Sequence, residues 1–218
     1  MRILIGYSMR SGSTLLQHML GQHSAVRSTS DLSSWLMLSR LLTGLGPKQG
    51  AVCVKPMDIL FLEQWRLMSR FFDRFIWLVR DPRDAYLSSI ESGYAYLLWP
   101  RGRRMSGVDL GLVDRWQRIQ RQYLKAPEKW HLVRYEDLVT RPEATMNSIL
   151  EYLELPYERL DRFERFRLLN GGDYKICQSS GVRSSSVGRY RTKMPGPQRA
   201  VFQRLIGPEM DFFGYPSV

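Results

Sequence analysis

"GYSMRSGSTLLQHML", residues 6–20, follows an apolar "RILI" at residues 2–5, and its reading decides the fold. A strand ending in Gly6, a turn holding Gly12 and a helix opened by Ser13 and Thr14 would gather backbone N–H groups and the positive end of a helix dipole around one anion. That geometry binds phosphate. A triphosphate loop of this kind reads GxxxxGK[ST], with its Lys on the terminal phosphates and its hydroxyl on Mg²⁺. Here Ser13 follows the glycine, and the cation stands two residues before it, at Arg10. A planar guanidinium fork suits phosphate or sulfate oxygens, whereas the missing Lys argues against triphosphate chemistry. The alternative is a glycine-containing turn with no ligand.

Working outward, four apolar runs read as buried parallel strands: Ile3–Tyr7, Ala51–Val54, Phe75–Val79 and Trp130–Arg134. Each is followed by a helical pattern. Leu112, Trp116, Ile119 and Tyr123 share one helix face behind an Asp109 N-cap, and Met146, Ile149, Leu150 and Leu153 share another. A last helix carries Val201, Phe202, Leu205 and Ile206, followed by "GPEMDFFGYP". The expectation is an α/β protein with a central parallel sheet flanked by helices. Residues 92–108 mix Gly, Pro, aromatic and Arg residues without a period and read as a loop or lid. Residues 170–197 are too long for an idle connection and are expected to touch ligand.

The 218 residues fit a single domain spanning 1–218, with 44% hydrophobic and 24% charged residues, an ordinary globular balance. Lys plus Arg outnumber Asp plus Glu by 32 to 21, and the net charge of +11 draws anionic ligands. The arginines are scattered, with "RGRR" at 101–104 the one dense cluster, so a small anion is expected rather than nucleic acid. Cys53 and Cys177 lack CxxC spacing, and His18, His23 and His131 lack ligand spacing, so neither disulfide nor metal is expected. No signal peptide is read at the N-terminus, and "WLMLSRLLTGL" is too short for a membrane span; a cytoplasmic setting is the expectation.

A second phosphate signal follows "FIWLV": Arg80 at the strand end, then "DPRDAYLSSI" with Pro82 at a first helical position and Ser88 on the helix. Ligands of open α/β sheets bind at the carboxyl ends of the strands. Taken alone, Arg80 also reads as a strand-end residue paired with Asp81 or Asp84.

Together, "RSGST" and "VRDPRDAYLSS" resemble the sulfotransferase family that uses 3′-phosphoadenosine 5′-phosphosulfate (PAPS). The resemblance extends to "VRYEDLVTRPEATMNSILEYLELP" and "VRSSSVGRY". It implies a P-loop nucleotide-hydrolase-like fold and PAPS as co-substrate, without a metal. On the same resemblance, the first loop, Arg10, Ser11, Gly12, Ser13, Thr14 and Leu15, grips the 5′-phosphosulfate. Arg80 and Ser88 hold the 3′-phosphate, and Tyr135 lies near the adenine. Arg183, Ser184, Ser185 and Gly188 belong to a loop closing over the 3′-phosphate. At that loop Ser184 and Ser185 replace the family's Lys and Gly, and Tyr190 replaces its Trp.

Sulfuryl transfer asks for in-line positioning and for charge stabilisation on the leaving phosphate, which cations and N–H groups supply. The acceptor must also lose a proton. Many family members use a His in a "KTH" segment, but this chain has "VKPMD", with Met57 in that place. Other branches use a Glu a short way after the first helix, where Asp31 is the one carboxylate here, equally readable as an N-cap. Asp58, Glu63 and His18 are the substitutes. Lys55 matches the family's Lys and would steady the transferring group beside Arg10, or stand solvated at a strand end. The expected function is PAPS-dependent transfer to a hydroxyl or amine of a small-molecule, saccharide or peptide acceptor. An ATP-dependent small-molecule kinase and a basic anion-binding module are the rivals.

Overall fold

The computed structural model describes residues 1–28, 31–44, 50–93, 100–163 and 179–216, the side chains of 31–35 excepted. Five parallel strands form the central sheet: β1 (Arg2–Tyr7), β2 (Val26–Ser28), β3 (Ala51–Val54), β4 (Arg74–Val79) and β7 (His131–Arg134). They lie in the order β2-β3-β1-β4-β7. Registers such as Leu4↔Val54 and Gly6↔Trp77 place β1 between β3 and β4. From β1 the chain therefore runs to the edge at β2, returns to β3 beside β1, and then crosses to β4 and β7 on the other side. The crevice between the carboxyl ends of β1 and β4 is the switch point where such sheets bind ligands.

The flanking helices are α1 (Ser13–Leu20), α2 (Asp31–Leu42), α3 (Trp65–Met68), α4 (Pro82–Ser92), α5 (Leu110–Leu124), α6 (Tyr135–Thr140), α7 (Pro142–Tyr152), α8 (Tyr190–Lys193) and α9 (Gly196–Phe212). Strands β1 and β3 are buried almost throughout, as continuous apolar runs require. Beneath β1 the core is aromatic: Trp130 makes edge contacts with Trp65, Phe75 and Trp77 at 4.8–5.4 Å between ring centroids. Gly6 belongs to this packing, since a Cβ there would stand 2.4 Å from the Trp77 ring.

Several expectations need correction. Residues 104–109 are not loop: β5 (Arg104–Met105) and β6 (Val108–Asp109) form an antiparallel hairpin. Its turn residues Ser106 and Gly107 have φ of 47° and 82°, the positive pair that a two-residue hairpin favours. Asp109 caps α5 by accepting the Gly111 N–H at 2.9 Å and also accepts the Gly102 N–H at 2.9 Å. In the first turn of α5 Val113 is buried, while Leu112 is half-buried. The last helix does not stop before "GPEMDFF" but runs on through a kink at Ile206 (φ −136°), with Pro208 just beyond it. Pro208 has no N–H to donate back into the ladder, and Leu205 on the same helix is exposed. Strand β2 has no counterpart among the expected strands.

Candidate functional site

Two neighbouring strand-to-helix turns build the site. At the first, Arg10 (φ 63°) and Gly12 (φ 89°) take left-handed backbone, and Gly12 N-caps α1 without any side-chain cap bond. The first-turn N–H groups of such a helix have no intrahelical acceptor, which leaves them open to an anion. It is braced from below. Asp58 accepts the Met9 N–H at 2.8 Å and pairs with Arg115 through Nε at 3.1 Å and Nη2 at 2.5 Å. A buried relay runs from Trp77 Nε1 to Gln120 (2.8 Å), from Gln120 Nε2 to Ser8 Oγ (3.2 Å), and from Ser8 to the Ser11 hydroxyl (2.8 Å). Of the loop residues, Ser11, Ser13 and Leu15 are buried and Thr14 is half-buried.

At the second turn, Asp81 caps α4 by accepting the Arg83 N–H at 2.9 Å, with Pro82 at the first helical position. Its carboxylate also takes Arg83 Nε and Nη2 at 2.9 and 2.6 Å, a fork-to-fork pair that is almost wholly buried. Arg83 stacks on Tyr190 at 3.8 Å and donates Nη1 to the Pro216 carbonyl at 3.0 Å. Glu136 accepts the Asp81 N–H at 3.0 Å and the Tyr215 hydroxyl at 3.1 Å, and burial pushes its carboxyl up.

Between the turns, Arg80 donates Nη1 to the Arg10 carbonyl (3.0 Å) and Nη2 to the Ser186 carbonyl (2.8 Å), and its guanidinium lies 4.4 Å from the centre of the Tyr135 ring. Its Nε is buried without a hydrogen-bond partner among the described residues. Arg80 is thus not paired with Asp81 or Asp84 by hydrogen bond. Arg10 reaches across from the first turn and donates Nε to Ser88 Oγ at 3.0 Å. Tyr135 packs so closely under Gly12 that a Cβ there would stand 2.3 Å from its ring, and its hydroxyl meets that of Ser186.

Arg10, Gly12, Arg80, Ser88 and Tyr135 therefore converge. Lys55 is buried, not solvated, with Nζ 5.1 Å from the centre of the Tyr7 ring. Gly188 (φ 71°) donates its N–H to Asp84, while Arg183, Ser184 and Ser185 are exposed. Asp31 heads α2, and its side chain lies outside the described residues, as do residues 94–99 of the expected lid and 170–178 of the late loop. The substitute bases fare poorly: Asp58 is committed to Arg115 and Met9, and Glu63 is exposed. His18 is neither a helix-surface nor an open-cleft residue but is buried edge-on to Phe163 at 4.5 Å. Cys53 is buried, and its thiol is pushed up to about 12 by burial, which leaves it protonated and unreactive. Among the described residues no helix is long and apolar enough to cross a membrane, and no metal-holding group of three His, Cys, Asp or Glu occurs.

Sequence reading missed Ser186, Asp84 and Glu91. Asp84 is buried, and burial raises its carboxyl pKa, opposed by the Tyr190 N–H, Arg80 and the Gly188 N–H. Glu91 pairs with Arg189, which holds its carboxyl down at about 2, with Lys193 alongside. The signal available for Asp84 was its place midway between Arg80 and Ser88, one helical turn before the serine.

An open parallel sheet with an uncapped, anion-cradling turn at its switch point defines an α/β protein of the P-loop-like kind. Residues 62–159 match the model described as Sulfotransferase family, and the fold is the one seen in solved sulfotransferases. A sulfotransferase domain from the curacin biosynthetic pathway superposes with a TM-score of 0.73 at 19% identity, covering 99% of this chain and 98% of that one. The sulfotransferase domain of the Synechococcus PCC 7002 olefin synthase gives 0.67 at 18% identity, covering 90% and 88%. Mouse sulfotransferase SULT7A1, solved with PAP, gives 0.63 at 14% identity, covering 96% and 84%. No curated protein sequence matches.

Proposed function

We propose that this chain is a sulfotransferase that takes its sulfuryl group from PAPS and passes it to a hydroxyl or amine of an acceptor. The observation that carries the reading is the meeting of Arg10, Arg80 and Ser88 beside the uncapped start of α1, with a buried guanidinium nitrogen of Arg80 lacking an acceptor among the described residues. A donor with two separated phosphate groups fits this arrangement, one at the α1 turn and one at Arg80 and Ser88. The PAP seen in the SULT7A1 structure supports the same donor class.

The acceptor oxygen or nitrogen attacks sulfur in line, and the bond from sulfur to the 5′-phosphate oxygen breaks. Adenosine 3′,5′-bisphosphate leaves with the electron pair. Arg10, the α1 N–H groups of Ser13 and Thr14, and Lys55 face the charge that develops on that leaving oxygen, and they gain strength as water is excluded. Ser11 and Leu15 shape the loop around them, Tyr135 borders the adenine, and Arg183 with Ser184, Ser185 and Gly188 closes the 3′ side. Asp31 takes the acceptor's proton. Residues 1–218 act as one domain.

Calorimetric titration with adenosine 3′,5′-bisphosphate beside ATP with Mg²⁺ tests the donor, and turnover of Asp31→Asn tests the base. Preferential binding of the bisphosphate is expected, with turnover of the variant down roughly a hundredfold or more and its bisphosphate affinity unchanged. Preference for ATP with Mg²⁺ would make the chain a kinase, and steeply salt-dependent binding without turnover would make it an anion-binding module. A fully active variant returns Asp31 to helix capping.

A further inference from the structure

Asp84 takes no part in the donor contacts above, yet it is 1% exposed and ionisable. It lies four residues after Arg80 and four before Ser88, so it and Ser88 share one face of α4 a turn apart. Its two oxygens point away from its own helix. Oδ2 accepts the Gly188 N–H at 2.6 Å and Oδ1 accepts the Tyr190 N–H at 2.9 Å.

Tyr190 opens α8, whose own N-cap residue, Arg189, makes no side-chain cap bond. A carboxylate from α4 therefore does for α8 what a local Ser or Asp does for most helices. Two turns further along α4, Glu91 takes the Arg189 guanidinium. The segment so held carries Ser186, whose carbonyl receives Arg80 and whose hydroxyl meets Tyr135. Gly188 reaches Asp84 through positive φ, which an L side chain would strain.

We propose that Asp84 is the positioning residue that holds residues 184–190 down over the donor side and thereby sets Ser186 against Arg80 and Tyr135. Asp84 acts through the backbone of that segment and touches neither donor nor acceptor. The proposal rests on the PAPS reading for what lies beneath the segment, but not for the fastening itself. Since Glu91 lies further out and is partly exposed, its pair with Arg189 supports the segment without replacing the buried anchor.

The test is Asp84→Asn in the full chain, which turns one acceptor into a donor facing an N–H. In the folded variant without ligand, tryptic cleavage between Arg183 and Lys193 is expected to quicken about tenfold, because the segment opens more often. Adenosine 3′,5′-bisphosphate should bind roughly ten- to thirtyfold more weakly, the loss expected for one or two charge-assisted hydrogen bonds. KM for PAPS should rise in step while kcat at saturating donor stays within about threefold, a split that general destabilisation does not produce. A folded variant with unchanged cleavage and unchanged bisphosphate affinity overturns the proposal, as does a fall in kcat alone. Should the variant not fold, hydrogen exchange on the unaltered protein decides instead. Slow exchange at the Gly188 and Tyr190 amides supports the anchor, and exchange as fast as in an open loop overturns it. Failure of the unaltered protein to bind the bisphosphate would remove the donor reading, while cleavage and exchange would still judge Asp84.

Discussion

The turns after β1 and after β4 lie side by side in the sheet, and each leads into a helix and brings an arginine to the same crevice. They are built oppositely. The β4 turn is capped by its own side chain: Asp81 caps α4, neutralises Arg83 and is itself held by Glu136. The β1 turn leaves the start of α1 without a side-chain cap and reaches its shape through two left-handed residues, Arg10 and Gly12. A capped helix end has already spent its N–H groups, whereas an uncapped one keeps them for a ligand. The first turn therefore offers its backbone, and the second offers only side chains, Arg80 and Ser88. Damage to the cap of the second should register chiefly as lost stability, and damage to the first chiefly as lost binding.

The largest effect should come from Asp81→Ala. It strips the cap from α4 and leaves the fully buried Arg83 without its counter-charge, at a cost of about 3–5 kcal/mol. Thermal unfolding should shift down by roughly 10 °C for a chain of this size. A variant melting within two or three degrees of the parent would show that Arg83 is satisfied by Tyr190 and Pro216 alone. Next comes Gly12→Ala, where a left-handed alanine costs about 1–2 kcal/mol. Its Cβ would also stand 2.3 Å from the Tyr135 ring. Bisphosphate affinity should fall at least about a hundredfold with a melting shift of only a few degrees; the reverse pattern would erase the contrast between the turns. The smallest effect belongs to Ser88→Ala, which removes the bond from Arg10 that joins them. Bisphosphate binding should weaken about three- to tenfold, the worth of one such hydrogen bond, with stability unchanged. No change in titration would mean that the two turns bind independently.

What could be read from the letters follows from range. Strands β1, β3, β4 and β7 are continuous apolar runs, a local property, and the expected spans match within a residue. Strand β2 escapes because it has three residues, "VRS", with Val26 alone buried; its pairing partner β3 makes it a strand. Arg80 and Ser88 are legible because their spacing is fixed within one strand and one helix. Asp84 is not, because its partners lie 104 and 106 residues away and are backbone groups that no letter marks. Asp58 illustrates the converse: as a letter near Met57 it reads as a base, but folding surrounds it with Arg115 and the Met9 N–H.

The contact between Arg83 and the Pro216 carbonyl also bears on how the chain is made. Strand β1 is made before the other strands of the sheet yet lies in its middle, so it must wait for β3 and β4 to close around it. The turn after β4 waits longer still, since one of its arginine donors finds its acceptor 133 residues later. Until that segment has been synthesised, Arg83 stays hydrated rather than sealed in, and the faces of Trp116 and Tyr123 that Phe213 meets stay uncovered. Exposed aromatic surface of that kind promotes aggregation during synthesis.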